Sequence, residues 1–143
     1  MTTVITFGTF DVFHVGHLKI LQRSKKEGQK LIVGVSSDNL NFQKKNRYPI
    51  YDQHSRMEII AALDCVDKVF LEESLELKPE YIKNHKATLL CMGDDWVGKF
   101  DNMSCNVKYF ERTPGISTTE IIENIKSLPN DCVNFDTDFN RVT

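Results

Sequence analysis

The sequence predicts an α/β domain built on a five-stranded parallel sheet, doubly wound, with helices on both faces. Three observations carry this prediction. Short apolar, β-rich runs alternate with helical segments through most of the 143 residues. The runs are continuous rather than alternating, as strands buried on both faces are. The residue types that can do chemistry gather after Phe7, Ser36, Met92 and Arg112, beyond the carboxyl ends of strands, where open α/β sheets bind ligands.

The elements follow in order. VITF (Val4–Phe7) is the first strand, and HLKILQRSKKEG (His17–Gly28) a helix with Leu18 and Leu21 on one side and Gly28 as its stop. KLIVGVS (Lys30–Ser36) is a second strand. The polar stretch from Ser37 to Tyr51 reads as a loop overhanging the site. DQHSRMEIIAAL (Asp52–Leu63) is a helix with Met57, Ile60 and Ala61 inward. DKVFLE (Asp67–Glu72) is a third strand, and PEYIKNHK (Pro79–Lys86) a helix opened by proline at its first position. ATLLCMG (Ala87–Gly93) and NVKYFER (Asn106–Arg112) are the last strands, and STTEIIENIKSL (Ser117–Leu128) closes the domain. The expected division is a domain over 1–128 and a polar, non-periodic tail over 129–143.

Composition narrows the function. Eighteen Lys and Arg against 20 Asp and Glu give a net charge of -2, with no global attraction to nucleic acid or membrane, so an anion site must be local. No run reaches the roughly 18 apolar residues of a membrane span. MTTVITF lacks the basic and long apolar regions of a secretory signal, and Cys65, Cys91, Cys105 and Cys132 form no CxxC pair. A reduced, cytoplasmic protein with free thiols is expected.

The loop after the first strand reads GTFDVFHVGH. Gly8 permits a tight exit, and Gly16 removes a Cβ where a ligand approaches the backbone. His14 and His17 fall three apart at a helix start, which carries free N–H groups and partial positive charge. They are either surface and capping imidazoles or donors to a phosphate that gains charge during reaction. Lys44, Lys45, Arg47 and Arg56 form a basic cluster in and after the second loop. In MGDDWVGKF, Gly93–Lys99 fits GxxxxGK, but Phe100 replaces the hydroxyl residue of a P-loop, and two aspartates sit inside the would-be cradle. Asp94 and Asp95 better suit hydroxyl groups, with Trp96 as a pocket wall. In RTPGISTTE, Ser117 and Glu120 form a capping box, and Arg112 with Ser117, Thr118 and Thr119 makes a second anion site.

Taken together, GTFDVFHVGH, MGDDWVGKF and RTPGISTT resemble the Rossmann-like HxGH nucleotidyltransferases. Within them the chain is similar to the bacterial glycerol-3-phosphate cytidylyltransferases, over about Val4 to Lys126. The resemblance implies strand order 3-2-1-4-5, a homodimer, and transfer of CMP from CTP to glycerol 3-phosphate for teichoic acid or capsule synthesis. It implies CTP contacts by Gly8, Thr9, Phe10, Asp11, His14, Gly16 and His17. Asp94, Arg112, Thr113, Gly115, Ile116, Ser117, Thr118 and Thr119 complete that set. Lys44, Lys45, Lys78, Asp94 and Trp96 fall to the acceptor, and His14, His17, Lys44 and Arg112 to catalysis. Magnesium is implied as the partner of CTP, with Asp11 near it and no protein ligand set defined.

Two departures from the family pattern stand out. The second loop is one residue longer, so Lys45, Asn46 or Arg47 can fill its second basic position. Asp64 replaces a basic residue. Competing readings are a cytidylyltransferase for ethanolamine phosphate or another polyol phosphate, a related ATP-using enzyme, and a non-catalytic nucleotide sensor.

Overall fold

The computed structural model describes residues 1–129. Residues 130–143, which hold nearly all of the expected tail and Cys132, lie outside the described residues. Five strands, β1 (Thr3–Gly8), β2 (Lys30–Ser36), β3 (Lys68–Glu72), β4 (Leu89–Gly93) and β5 (Asn106–Phe110), form one parallel sheet in the order β3-β2-β1-β4-β5. The expected order and direction are both found. β1 and β2 are buried along almost their whole length. The edge strand β5 alternates exposed and covered residues, because its side chains point in turn to the two faces of the sheet and Asn106 and Lys108 lie on the less covered one.

Helix α1 (Val15–Lys26) begins two residues before the predicted start, because His14 and not a later residue is its cap. Arg23, Lys25 and Lys26 fill its last turn, where the helix dipole favours positive charge. The segment after β2 corrects the expectation of a plain loop. Asp38–Lys45 is a helix, α2, capped by Ser37 Oγ on the Leu40 N–H (3.0 Å) and closed by Asn46 in the left-handed region. Its sequence carries an N-cap serine, an acidic first turn and a basic last turn. Only Leu40 and Asn41 are buried, so the apolar periodicity is weak.

Helix α3 (Gln53–Ala61) is capped by Asp52. It turns Arg56 and Ile60 inward, four residues apart on one face, with Met57 half-buried. Ala61 is exposed, one position beyond that face, contrary to expectation. Helix α4 (Lys78–Asn84) takes Lys78 as its first residue and Pro79 as its second, still within the turn that needs no intrahelical N–H. Between β4 and β5 only a 3₁₀ turn (Asp94–Trp96) and bends intervene. Helix α5 (Thr118–Lys126) follows β5.

Two cores lie on opposite faces of the sheet. On one, Val4, Leu31, Val33, Val35 and Cys91 meet Leu21 of α1 and Ile60 of α3. On the other, Ile5, Phe7, Ile32, Leu90 and Met92 meet Ile82 of α4 and Phe100. Phe100, in the segment before β5, thus covers sheet where a crossover helix would otherwise lie. Among the described residues Cys65, Cys91 and Cys105 are free thiols, and no helix is long and apolar enough to cross a membrane.

The register opens the cleft. β1 pairs with β2 through Gly8↔Val35, and β4 with β5 through Gly93↔Phe110. β1 pairs with β4 only at Val4↔Leu89 and Ile5↔Leu90. The carboxyl ends of the two central strands therefore separate at the point where strand order reverses.

One buried cation ties the loops above that point. Arg56 is 0% exposed. It donates to the carbonyls of Thr9 (2.8 Å), Ser36 (2.7 Å) and Tyr51 (2.9 Å) and to Asp38 Oδ1 (2.7 Å). The sequence placed Arg56 in the basic cluster beside the site. The structure makes it an internal brace with no face on the cleft. Arg56→Met strands four acceptors and should lower the unfolding free energy by roughly 3 kcal/mol or more, measured by urea denaturation.

Candidate active site

The cleft between the diverging strands encloses about 590 Å³. Its floor is the β1–α1 loop, and that loop is under backbone strain. Phe10 (φ 56°) and Val12 (φ 48°) both occupy the left-handed region, a costly place for a β-branched residue. The loop is held from several sides. The Asp11 carboxylate accepts from the backbone N–H groups of Val12 (3.0 Å), Ile50 (2.7 Å) and Tyr51 (2.9 Å). Thr118 Oγ1 donates to the Asp11 carbonyl (2.9 Å) and so fastens the start of α5 to the same loop.

His14 and His17 cap α1 reciprocally. His14 Nδ1 accepts from the Gly16 N–H (3.0 Å), and His17 Nδ1 accepts from the His14 N–H (3.3 Å). The capping reading of the pair is therefore correct, and it has a chemical consequence. With both Nδ1 atoms accepting, each neutral ring carries its proton on Nε2 and offers an Nε2–H donor. The rings stack 3.7 Å apart. Burial lowers the His14 pKa from its ordinary value. Burial, then His14 and Lys45, push that of His17 down to about 3. Both imidazoles are neutral donors near pH 7.

Gly16 lines the cleft and also serves this arrangement. A Cβ there would stand 2.9 Å from His14 Nδ1 and 3.2 Å from Ile116. At Gly8 a Cβ would meet the Phe10 ring at 2.8 Å.

One wall of the cleft is cationic. Lys44 and Lys45 from the last turn of α2, Arg47 after it, and Lys78 at the start of α4 all line it. Asn46, the left-handed cap between Lys45 and Arg47, does not. Lys78 is 2% exposed and pairs with Glu72 at the end of β3. Burial lowers its pKa, and Glu72 opposes that shift. Lys44 donates to Ser36 Oγ (3.1 Å), and Ser36 Oγ donates to Glu72 Oε1 (3.2 Å). Burial pushes the Lys44 pKa down to about 8; Glu72 counteracts this, and Lys78, Lys45 and Arg56 add to it.

The opposite wall comes from β4, β5 and the turn before α5. Arg112, Thr113, Ile116, Ser117, Thr118 and Thr119 line it, as does Trp96, which packs on Phe100 with ring centroids 5.4 Å apart. Arg112 is exposed, with Nε 3.6 Å from Asp95 Oδ2. Ser117 Oγ caps the Glu120 N–H (3.1 Å), as the capping box predicts. Two residues assigned to the site lie off this lining. Asp94 is exposed and off the lining, where Asp95 stands instead. Gly115 is also off it, at the tip of an open turn. Asp11 spends its carboxylate on backbone N–H groups, and among the described residues no cluster of three or more His, Cys, Asp or Glu could hold a metal. Asp64 is exposed just beyond α3, away from the cleft.

Sequence reading missed Glu72, Asn41 and Arg23, all lining residues. Asn41 accepts from Thr9 Oγ1 (3.0 Å) and donates to the Arg47 carbonyl (3.2 Å), joining the two loops. Arg23 donates to the Glu111 carbonyl (3.0 Å). The signal for Arg23 was the spacing Gly16–Ile20–Arg23, which shares one side of α1. The signal for Glu72 was a carboxylate ending an otherwise apolar strand.

A family profile described as cytidylyltransferase-like matches residues 5–124. The chain belongs to the cytidylyltransferase-like family. Among its relatives in this family is glycerol-3-phosphate cytidylyltransferase of Bacillus subtilis, 45% identical over 131 residues, which span 90% of this chain and 100% of that protein. The protein of the same name from Staphylococcus aureus is 38% identical over 123 residues, 85% of this chain and 92% of that one. Among solved structures, the lipopolysaccharide core biosynthesis protein of Thermoplasma volcanium aligns with a TM-score of 0.65 at 28% identity, over 79% of this chain and 97% of its own.

The depressed His17 pKa has a thermodynamic signature. The unfolded imidazole binds a proton below about 6.5 and the folded one only near 3, so stability falls as pH drops through that window. His17→Gln keeps a capping-box residue but removes the titration. Its loss of stability between pH 7 and pH 5 should be smaller than that of the wild type by up to about 2 kcal/mol, read from urea midpoints at the two pH values.

Proposed function

We propose that this protein transfers CMP from CTP to sn-glycerol 3-phosphate, giving CDP-glycerol and pyrophosphate, and so supplies teichoic acid or capsule synthesis from the cytoplasm. One observation carries the reading. A lysine-rich wall faces a second wall carrying Arg112 and the hydroxyls of the α5 turn, across a pair of neutral Nε2–H donors. The names and near-complete coverage of the Bacillus and Staphylococcus relatives support the substrate assignment.

The chemistry follows from that arrangement. An oxygen of the acceptor phosphate attacks the α-phosphorus of CTP. A new P–O bond forms as the bond to the bridging oxygen breaks, and pyrophosphate leaves with that electron pair. A phosphate monoester has a second pKa of about 6, so the nucleophile is already deprotonated and needs no strong base. The difficulty is bringing two polyanions together. His14 and His17 donate to the α-phosphate oxygens, where charge builds up in the transition state. Arg112, the N–H groups opening α5, and Thr119 hold the β- and γ-phosphates. Ser117 and Thr118 fix that turn through their own hydroxyl contacts. Lys44 and Lys78, with Lys45 or Arg47 beside them, receive the acceptor's phosphate. Trp96 and Asp95 border the space for the rest of the acceptor.

Magnesium is proposed to accompany CTP, where it would offset the charge of the polyphosphate and leaving group. A homodimer is proposed as well. It is supported by an exposed apolar surface where Phe42 and Tyr48 stack at 4.7 Å near exposed Ile50 and Tyr51.

The assay is pyrophosphate release. CTP or ATP is offered with glycerol phosphate isomers, ribitol phosphate, ethanolamine phosphate or no acceptor. Release is expected only with CTP and sn-glycerol 3-phosphate. Release without acceptor would indicate hydrolysis, and release with none of these mixtures would indicate a nucleotide sensor. His17→Ala should lower kcat by about a hundredfold or more while the protein stays folded, since it removes one transition-state donor.

A further inference from the structure

A carboxylate buried in an anion-binding wall calls for an explanation. Glu72 is 1% exposed, lines the cleft, and would repel the phosphate assigned to the lysines around it. Its two oxygens have separate duties. Oε2 pairs with Lys78 Nζ, and Oε1 accepts from Ser36 Oγ (3.2 Å), whose oxygen in turn accepts from Lys44 Nζ (3.1 Å). The sheet register fixes this chain, because Ser36 and Glu72 are partners at the last paired position of β2 and β3.

We propose that Glu72 is a positioning residue for the acceptor's phosphate, aiming Lys78 directly and Lys44 through Ser36 from the end of β3. The inference rests on the acceptor reading given above and deepens it. Lys78 is almost fully enclosed, with its Nζ 4.5 Å from the centroid of the Phe7 ring and 5.4 Å from that of Phe100. Aromatic faces favour a cation but do not fix its direction as a carboxylate does. Glu72 is its single ion-pair partner among the described residues. Of the other acidic groups lining the cleft, Asp11 is committed to backbone N–H groups and Asp95 to Arg112, and Glu111 is exposed just after β5.

The charges facing Lys44 are Glu72 from β3, Lys78 from α4, Lys45 from its own helix and Arg56 from α3. Of these, Glu72 alone favours its protonated form, and Glu72 does the same for Lys78. Neutralising Glu72 therefore leaves Lys78 to burial and Lys44 to burial and the cations around it, and both lose their protons at lower pH.

The test is steady-state kinetics of the full chain with CTP and sn-glycerol 3-phosphate from neutral to alkaline pH, on the wild type, Glu72→Gln, Glu72→Asp and Ser36→Ala. Glu72→Gln should raise the acceptor KM about tenfold or more, leave the CTP KM within about twofold, and move the alkaline limb of kcat/KM to lower pH. Glu72→Asp, which keeps the charge, should restore the limb. Ser36→Ala breaks only the link to Lys44 and should raise the acceptor KM severalfold; it decides the matter if Glu72→Gln does not fold. Folded variants with unchanged acceptor KM and alkaline limb, or with kcat lowered and both KM values unmoved, would overturn the inference while the substrate reading stands. A wild type that does not turn over glycerol 3-phosphate would overturn both.

Discussion

The Arg56 guanidinium is the interaction on which the upper half of the molecule depends. Three loops and a helix start converge at the carboxyl edge of the sheet: the ends of β1 and β2, the segment before α3, and Asp38 at the beginning of α2. Each brings a backbone carbonyl or a carboxylate that has left regular structure and needs a donor. One fully buried side chain with a fixed fork of N–H groups supplies them all. A hydrophobic residue could fill the volume but not the hydrogen bonds. The position of Lys44 and Lys45 relative to the histidines follows from this brace, because α2 is set against the β1 end through it.

In the histidine pair, capping a helix also decides where the ring protons sit. Capping uses Nδ1 of each ring, and that choice fixes where the remaining proton sits. The strain at Phe10 and Val12 is the cost of bending the chain so that both rings reach the start of α1. It is sustained by the Asp11 carboxylate, by the Thr118 hydroxyl and by the edge-to-face contact of Phe10 on His17, with centroids 5.5 Å apart. Enclosure keeps the imidazoles uncharged near neutral pH.

The parallel sheet was legible because its central strands are uninterrupted apolar runs, a pattern imposed by burial on both faces. The loops after Phe7 and Arg112 were legible because glycine, histidine, proline and hydroxyl residues mark turns and caps through local chemistry. What escaped depends on partners distant in sequence. Arg56 reads as one more surface cation until Thr9, Ser36 and Tyr51 are known to surround it. That Asp11 braces its loop shows only when the N–H groups of Ile50 and Tyr51 are found on it. Glu72 gains meaning only when β3 is laid beside β2. Helix α2 escaped for the opposite reason: its caps are local and visible, but it buries too little to show a period. The exchange of Asp94 for Asp95 on the cleft wall is a matter of direction around a 3₁₀ turn, which adjacent identical residues cannot reveal.

The short pairing between β1 and β4 has a mechanical consequence. Two residue pairs form the spine between one leaf made of β3, β2 and β1 and another made of β4 and β5. The bonds from Arg23 to the Glu111 carbonyl and from Thr118 to the Asp11 carbonyl are clasps across the open side. Rotation about such a spine changes the gap between the leaves while every other strand pairing stays intact. The width between the Arg112 turn and the Lys44 wall is thus set by this two-pair spine and its clasps, not by continuous strand pairing.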